Sequence, residues 1–351
     1  MRRALLGLAF FLAALPALAA RPKAPPPPPP PPTNPPKVDV TLTAADATRG
    51  WSVRITNSGL VPLRVVADAR LLSFDVAPAA GGTPVHCALP ADMTPSSDAD
   101  RGLVLVPGRS YTEKLDPRLY CFGAKEAAAL VGGAVVTPRY GFGGRGTGAP
   151  FAAIALAPDG TDRSTLPTST RSFDGTPLTL PVPAQPAAAA APPPAAPLEA
   201  DPVRLRVTLA DRVDFDRIVE RTLTVAVHND GDRVVRTLLL PATVGFIVTS
   251  PGGATVHCGA STAQNPIAEL LGSVGPHGRA DITVQPGLTC PAGTFDTAGL
   301  YLVAPVLDTS HLGEGARGVT LFRGEVVGTS SWLRLHTGPA LRPLPKVDPA
   351  P

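Results

Sequence analysis

Four cysteines and six histidines are the residues whose types could carry chemistry in this chain. Cys87 and Cys121 stand 34 residues apart, and Cys258 and Cys290 are spaced almost alike. His86 directly precedes Cys87, and His257 directly precedes Cys258. Two His-Cys pairs could bind copper or zinc. Adjacent strand residues, however, point to opposite faces, so one pair cannot converge on an ion without a bulge. Exported thiols also tend to oxidise, which removes the thiolate ligand. The expectation is therefore two disulfides, Cys87–Cys121 and Cys258–Cys290, with no metal at these residues and no cofactor. In the chain-entropy model, a bond closing a loop of this size adds about 3–4 kcal/mol, less any strain. That matters in a chain with only 5% aromatic residues for its core.

Other candidate chemistry is thin. No histidine is followed by glutamate, so the helical zinc motif His-Glu-x-x-His is missing, and no Gly-x-Ser-x-Gly elbow occurs. No catalytic residue is expected. Gly141 to Gly146 spells Gly-x-Gly-x-x-Gly, but Gly148 and Pro150 follow, so no helix begins there to receive a pyrophosphate. Asp211, Asp214 and Asp216 lack the glycine of a calcium loop and read as a solvated loop between two strands. The Gly-rich segments 141–148 and 313–318 hold Arg145 and Arg317, the candidate binding-loop residues.

The elements that must position these residues fall into two blocks. The chain has 351 residues, a net charge of +3 and scattered cations, which offers no footprint for nucleic acid. Its opening, Met1-Arg2-Arg3 followed by an apolar run and Ala17-Leu18-Ala19, has the three parts of a secretory signal peptide over 1–20. The expectation is export to the periplasm or cell exterior, with no integral membrane span and an unknown protein or envelope ligand as partner. Of the 44 prolines, an unbroken run fills Pro25 to Pro32 inside a Pro-rich linker over 21–37. Such a run forms an extended polyproline II rod. An Ala/Pro linker spans 183–202, and a Pro-rich tail spans 339–351. Between them lie a first block, 38–182, and a second, 203–338.

The blocks match in order. Val53 to Gly59 corresponds to Val225 to Gly231, and Gly81 to Cys87 corresponds to Gly252 to Cys258. Pro107, Pro117, Leu119 and Cys121 correspond to Pro276, Pro286, Leu288 and Cys290. A duplication explains that series. Val38 to Leu42, Trp51 to Thr56, Ser73 to Ala77 and Ala134 to Tyr140 read as strands, with Val203 to Val207, Thr222 to Val227, Phe246 to Ser250 and Leu300 to Leu307 as counterparts. Asn57-Ser58-Gly59 and Asn229-Asp230-Gly231 are expected to supply the positive φ of tight reversals. Lys125 to Val131 and Ala263 to Leu271 carry the only helical suggestion.

The order of an Asn-x-Gly after a strand, a Phe-x-Val strand and a Gly-containing turn resembles exported bacterial immunoglobulin-like modules. Leu105-Val106-Pro107-Gly108-Arg109-Ser110, followed by Leu115-Asp116 and Tyr120, is similar to the non-catalytic sandwich module found before deuterolysin-type peptidase domains. The second block departs from it at Gly275-Pro276-His277-Gly278, and the peptidase part is missing. The resemblance implies an all-β chain: two tandem antiparallel immunoglobulin-like β-sandwiches joined by the Ala/Pro linker. The expected function is non-enzymatic binding or scaffolding in the cell envelope. The alternatives are a sandwich-type protease inhibitor and a secreted hydrolase with an unrecognised site.

Overall fold

Alternation of apolar and polar residues produces a predominantly β protein with several sheets. The computed structural model describes residues 37–60, 62–94, 102–141, 154–156, 162–165, 172–182, 204–218, 221–259, 270–312 and 321–337. In the first block the strands are β1 (Val38–Thr43), β2 (Trp51–Asn57), β3 (Leu63–Val66), β4 (Leu72–Ala77), β5 (Val85–Ala88), β6 (Gly102–Leu105), β7 (Ser110–Leu115), β8 (Val135–Gly141), β9 (Ile154–Leu156), β10 (Asp162–Thr165), β11 (Ser172–Asp174) and β12 (Leu178–Thr179). In the second they are β13 (Leu205–Thr208), β14 (Arg212–Phe215), β15 (Leu223–Asn229), β16 (Val235–Leu238), β17 (Val244–Thr249), β18 (Thr255–Cys258), β19 (Leu271–Val274), β20 (Arg279–Val284), β21 (Gly299–Asp308), β22 (Glu325–Val327) and β23 (Ser331–Leu335). Three short helices accompany them: α1 (Pro117–Tyr120), α2 (Ala124–Ala129) and α3 (Pro286–Thr289).

The pairings run side by side in the two blocks. A three-stranded sheet β1-β2-β7 corresponds to β13-β15-β20 in the second block. A larger sheet β11-β8-β4-β5, with β12 also on β8, corresponds to β21-β17-β18 with β22 and β23 both on β21. The pair β3-β6 corresponds to β16-β19. Each block has its own core. Val40, Val53, Ile55, Phe74, Val76 and Val136 belong to one buried cluster. Val207, Val225, Val227, Phe246, Val248 and Val303 belong to another. In both, inward residues of the three-stranded sheet and of the larger sheet meet, because alternate positions of every strand face the same way.

One crossing is built identically in both blocks. Pro138 in β8 and Pro305 in β21 lie opposite Phe74 and Phe246. A proline inside a strand has no N–H for the ladder. Both prolines sit where the neighbouring strand is interrupted, between β11 and β12 or between β22 and β23, at Gly175 and Gly328. Gly175 N donates to Pro138 O and Gly328 N to Pro305 O, both at 2.8 Å. A Cβ on Gly175 would lie 2.4 Å from Val40 O, and one on Gly328 would lie 2.2 Å from Val207 O. Only glycine lets the first strand of each block pass this close.

Two local expectations differ from the structure. Asn57 and Asn229 do not form positive-φ reversals; the left-handed glycines are others, Gly81 and Gly253 among them. Both asparagines are fully buried brackets instead. Asn57 Nδ2 donates to Leu105 O and its Oδ1 accepts from Gly59 N, while Asn229 Nδ2 donates to Val274 O and its Oδ1 accepts from Gly231 N. The amide thus serves backbone groups that the strand ends leave unpaired. Helix is present at Ala124–Ala129; of the second helical stretch, residues 263–269 lie outside the described residues, and Leu271 opens strand β19. Residues 211–216 are not a solvated loop: Arg212–Phe215 forms β14, which pairs in parallel with β23.

Candidate functional site

Both disulfides stand where the spacing places them. Cys87 on β5 is bonded to Cys121, which caps α1, and Cys258 on β18 is bonded to Cys290, which caps α3. Cys87 lies opposite Phe74 and Cys258 opposite Phe246 in the strand register. His86 and His257 are exposed while the cysteines beside them are buried, so neither histidine shares a face with its sulfur. His86 Nδ1 lies 2.7 Å from Asp75 Oδ1 across the strand pair. Arg145 and Arg317 lie outside the described residues, as do the signal-like segment 1–20, the Pro-rich linker 21–37 apart from Lys37, and the tail.

The richest cluster of side-chain chemistry lies where the two blocks touch. It begins at α1. Asp116 is the helix N-cap, accepting from Arg118 N at 3.0 Å. The same carboxylate takes Arg118 Nε at 2.9 Å and Nη2 at 2.6 Å, which aims the guanidinium outward. It ends 4.1 Å from the centre of the Trp332 ring on β23. The reverse contact has the same design. Asp214 on β14 holds Arg334 Nε at 3.0 Å and Nη2 at 2.5 Å, and the Arg334 guanidinium lies 4.5 Å from the centre of the Phe122 ring. Arg334 Nη1 also donates to Leu119 O at 2.9 Å. Cations over aromatic faces contribute about 0.5–1 kcal/mol when exposed and about 2 when desolvated.

His336 extends the seam just beyond β23. The parallel pairing of β14 and β23 continues through His336 N to Phe215 O and Thr337 N to Asp216 O. This fixes the imidazole beside Asp214 and Asp216. Its Nε2 lies 2.6 Å from Asp214 Oδ1, and its Nδ1 lies 2.8 Å from Asp92 Oδ2 and 3.4 Å from Asp216 Oδ1. Asp92 comes from the first block, in a turn closed by Met93 N to Pro90 O. Burial alone would raise the Asp214 carboxyl. The hydrogen bonds and charge of Arg334, then those of His336, hold it below the ordinary carboxylate value.

A cleft of about 450 Å³ opens beside this seam, lined by Phe122 and Gly123 from the first block and Asp211, Arg212, Asp214 and Arg334 from the second. Arg212 Nε is buried without a hydrogen bond, 3.3 Å from Asp211 Oδ2, while Nη1 donates to Phe122 O at 3.4 Å. These groups are guanidinium and carboxylate in pairs. Their chemistry is ion pairing.

No protein-family model matches the chain, and no curated protein matches it. Among solved structures it is similar to red sea bream transglutaminase at 10% identity, over 86% of this chain and 31% of that one, with a TM-score of 0.18. The chain thus spans about a third of that protein's length.

Sequence reasoning missed the seam. Its one signal was Ser331-Trp332-Leu333-Arg334-Leu335, where an arginine stands between two leucines of an apolar strand. A cation there must either reach solvent or find a partner, and Arg334 is only 9% exposed.

Proposed function

We propose that this chain is an exported, non-enzymatic binding or scaffolding protein of the cell envelope, built from two duplicated immunoglobulin-like β-sandwich modules. The observation that carries the proposal is the shared crossing: Val40 O, Pro138 and Gly175 in one block, Val207 O, Pro305 and Gly328 in the other. Two unrelated sandwiches have no reason to place the same three residue types at one contact. The matching disulfides favour the same reading, and they fit an oxidising compartment. Among the described residues no helix is long and apolar enough to cross a membrane. The seam supports the scaffold role: it holds one module against the other, so that surfaces on both meet a partner in a set relation.

The test has two parts. Cells making the full chain are fractionated, and the processed protein is located and mapped for its disulfides. The mature chain is then titrated with envelope extract, and the retained component is assayed for both binding and turnover. Saturable binding without turnover of the retained component supports the proposal. Retention of a reduced chain in the cytoplasm, or chemical conversion of the bound component, contradicts it.

A further inference from the structure

We propose that His336, Asp92 and Asp216 bind one divalent transition-metal ion, for which zinc is the natural probe, across the contact between the two blocks. One ligand atom from each of the three lies within 4.8 Å of the others. Ligands held about 2.0–2.2 Å from a tetrahedral zinc stand about 3.3–3.6 Å apart around it. His336 Nδ1 lies 3.4 Å from the Asp216 oxygen, within that spacing, and 2.8 Å from the Asp92 oxygen, a hydrogen-bond length that would open by about half an ångström around an ion. Imidazole with two carboxylates is a donor set suited to zinc or manganese.

The surroundings of the imidazole also have the arrangement a metal ligand needs. Its side chain is only 9% exposed and cannot swing away. The far nitrogen, Nε2, faces Asp214, whose carboxylate Arg334 clamps through two nitrogens. Metal-bound histidines usually donate their other N–H to such an outer carboxylate, which fixes the tautomer. Nδ1 faces both the Asp92 and the Asp216 carboxylates, so a metal ion placed between them would take the position of a shared hydrogen. Arg221 reaches one side of Asp216 at 3.6 Å but lies on the outer oxygen, Oδ2. Asp92 and Asp216 are partly exposed, at 46% and 69% of their side chains, so water can complete the coordination. The ligands come from both blocks, so the ion would strengthen their contact.

The experiment uses the full oxidised chain without an affinity tag, stripped with a chelator and titrated with zinc chloride by calorimetry. Thermal unfolding is followed in parallel. The expected result is one zinc per chain and a higher melting temperature with excess zinc, reversed by chelator. Asp92→Asn and His336→Gln should each weaken binding at least about tenfold. His257→Gln, on the exposed face of β18, should leave it unchanged. Asp92→Asn removes a charge from a surface turn and leaves both cores intact, so it stays informative even where His336→Gln unfolds. No saturable zinc uptake overturns the proposal. So does zinc binding that Asp92→Asn leaves intact.

Discussion

The guanidinium of Arg118 lies over the ring of Trp332, 4.1 Å from its centre, and it is held there by Asp116, the cap of its own helix. Arg334 repeats the arrangement in reverse over Phe122, held by Asp214. Each block therefore orients its cation with its own carboxylate before the contact forms, which lowers the conformational entropy lost in making it.

That relationship predicts a measurable coupling. Arg118→Ala and Trp332→Ala, alone and together, should show an interaction energy of about 0.5–1 kcal/mol in a double-mutant cycle read by denaturant unfolding. Strictly additive effects would mean that the stacking contributes nothing in solution. Trp332 is one of two tryptophans, so in a Trp51→Phe background its fluorescence reports the seam alone.

The crossing at Gly175 and Gly328 predicts two matched losses. Alanine at either position drives a Cβ into a main-chain carbonyl, at 2.4 or 2.2 Å, which the first strand cannot easily yield. Each substitution should cost about 1–3 kcal/mol or more. Gly259→Ala, with open space around its Cβ, should change stability by less than about 0.5 kcal/mol. Equal melting temperatures for all three variants would remove the crossing as a structural requirement.

Four strands in each block and both disulfides could be read from the sequence. Alternation marks Val38 to Leu42 and Trp51 to Thr56 as strands because each has one buried face, and the cysteine spacing recurs at one place in each block. The roles of Asn57, Gly175 and Pro138 could not be read, because each depends on a strand distant in the chain. Asn57 meets Leu105 and Gly175 meets Val40 only after the sheets form. The seam was hidden for the same reason. Asp92 and His336 are 244 residues apart and carry no local signature.

Tyr120 predicts how alkali acts on the first block. Its hydroxyl donates to Ala69 O, and burial, then the charges of Glu113 and Asp68, raise its phenol well above the ordinary value. The unfolded chain ionises at about pH 10 while the folded chain keeps the proton. The unfolded state then binds fewer protons, so stability is intact below that pH and falls as pH rises above it. All four cysteines are in disulfides, so thiol exchange does not obscure the measurement. Urea midpoints should fall as pH rises above about 10, and Tyr120→Phe should flatten that fall. An unchanged slope in the variant would assign alkaline loss to other groups.

Expressing residues 203–338 alone in an oxidising compartment tests the two-module architecture most directly. The buried cluster around Val225, Phe246 and Val303 takes no residue from the first block, and Cys258 finds Cys290 within the fragment. The fragment should show a β-rich circular dichroism spectrum and one cooperative unfolding transition. Peptide mapping should recover the Cys258–Cys290 link, and reduction should lower stability by about 2–5 kcal/mol. A fragment that stays unfolded with its disulfide formed, or folds only when residues 38–182 are added, would show one shared core and contradict two modules.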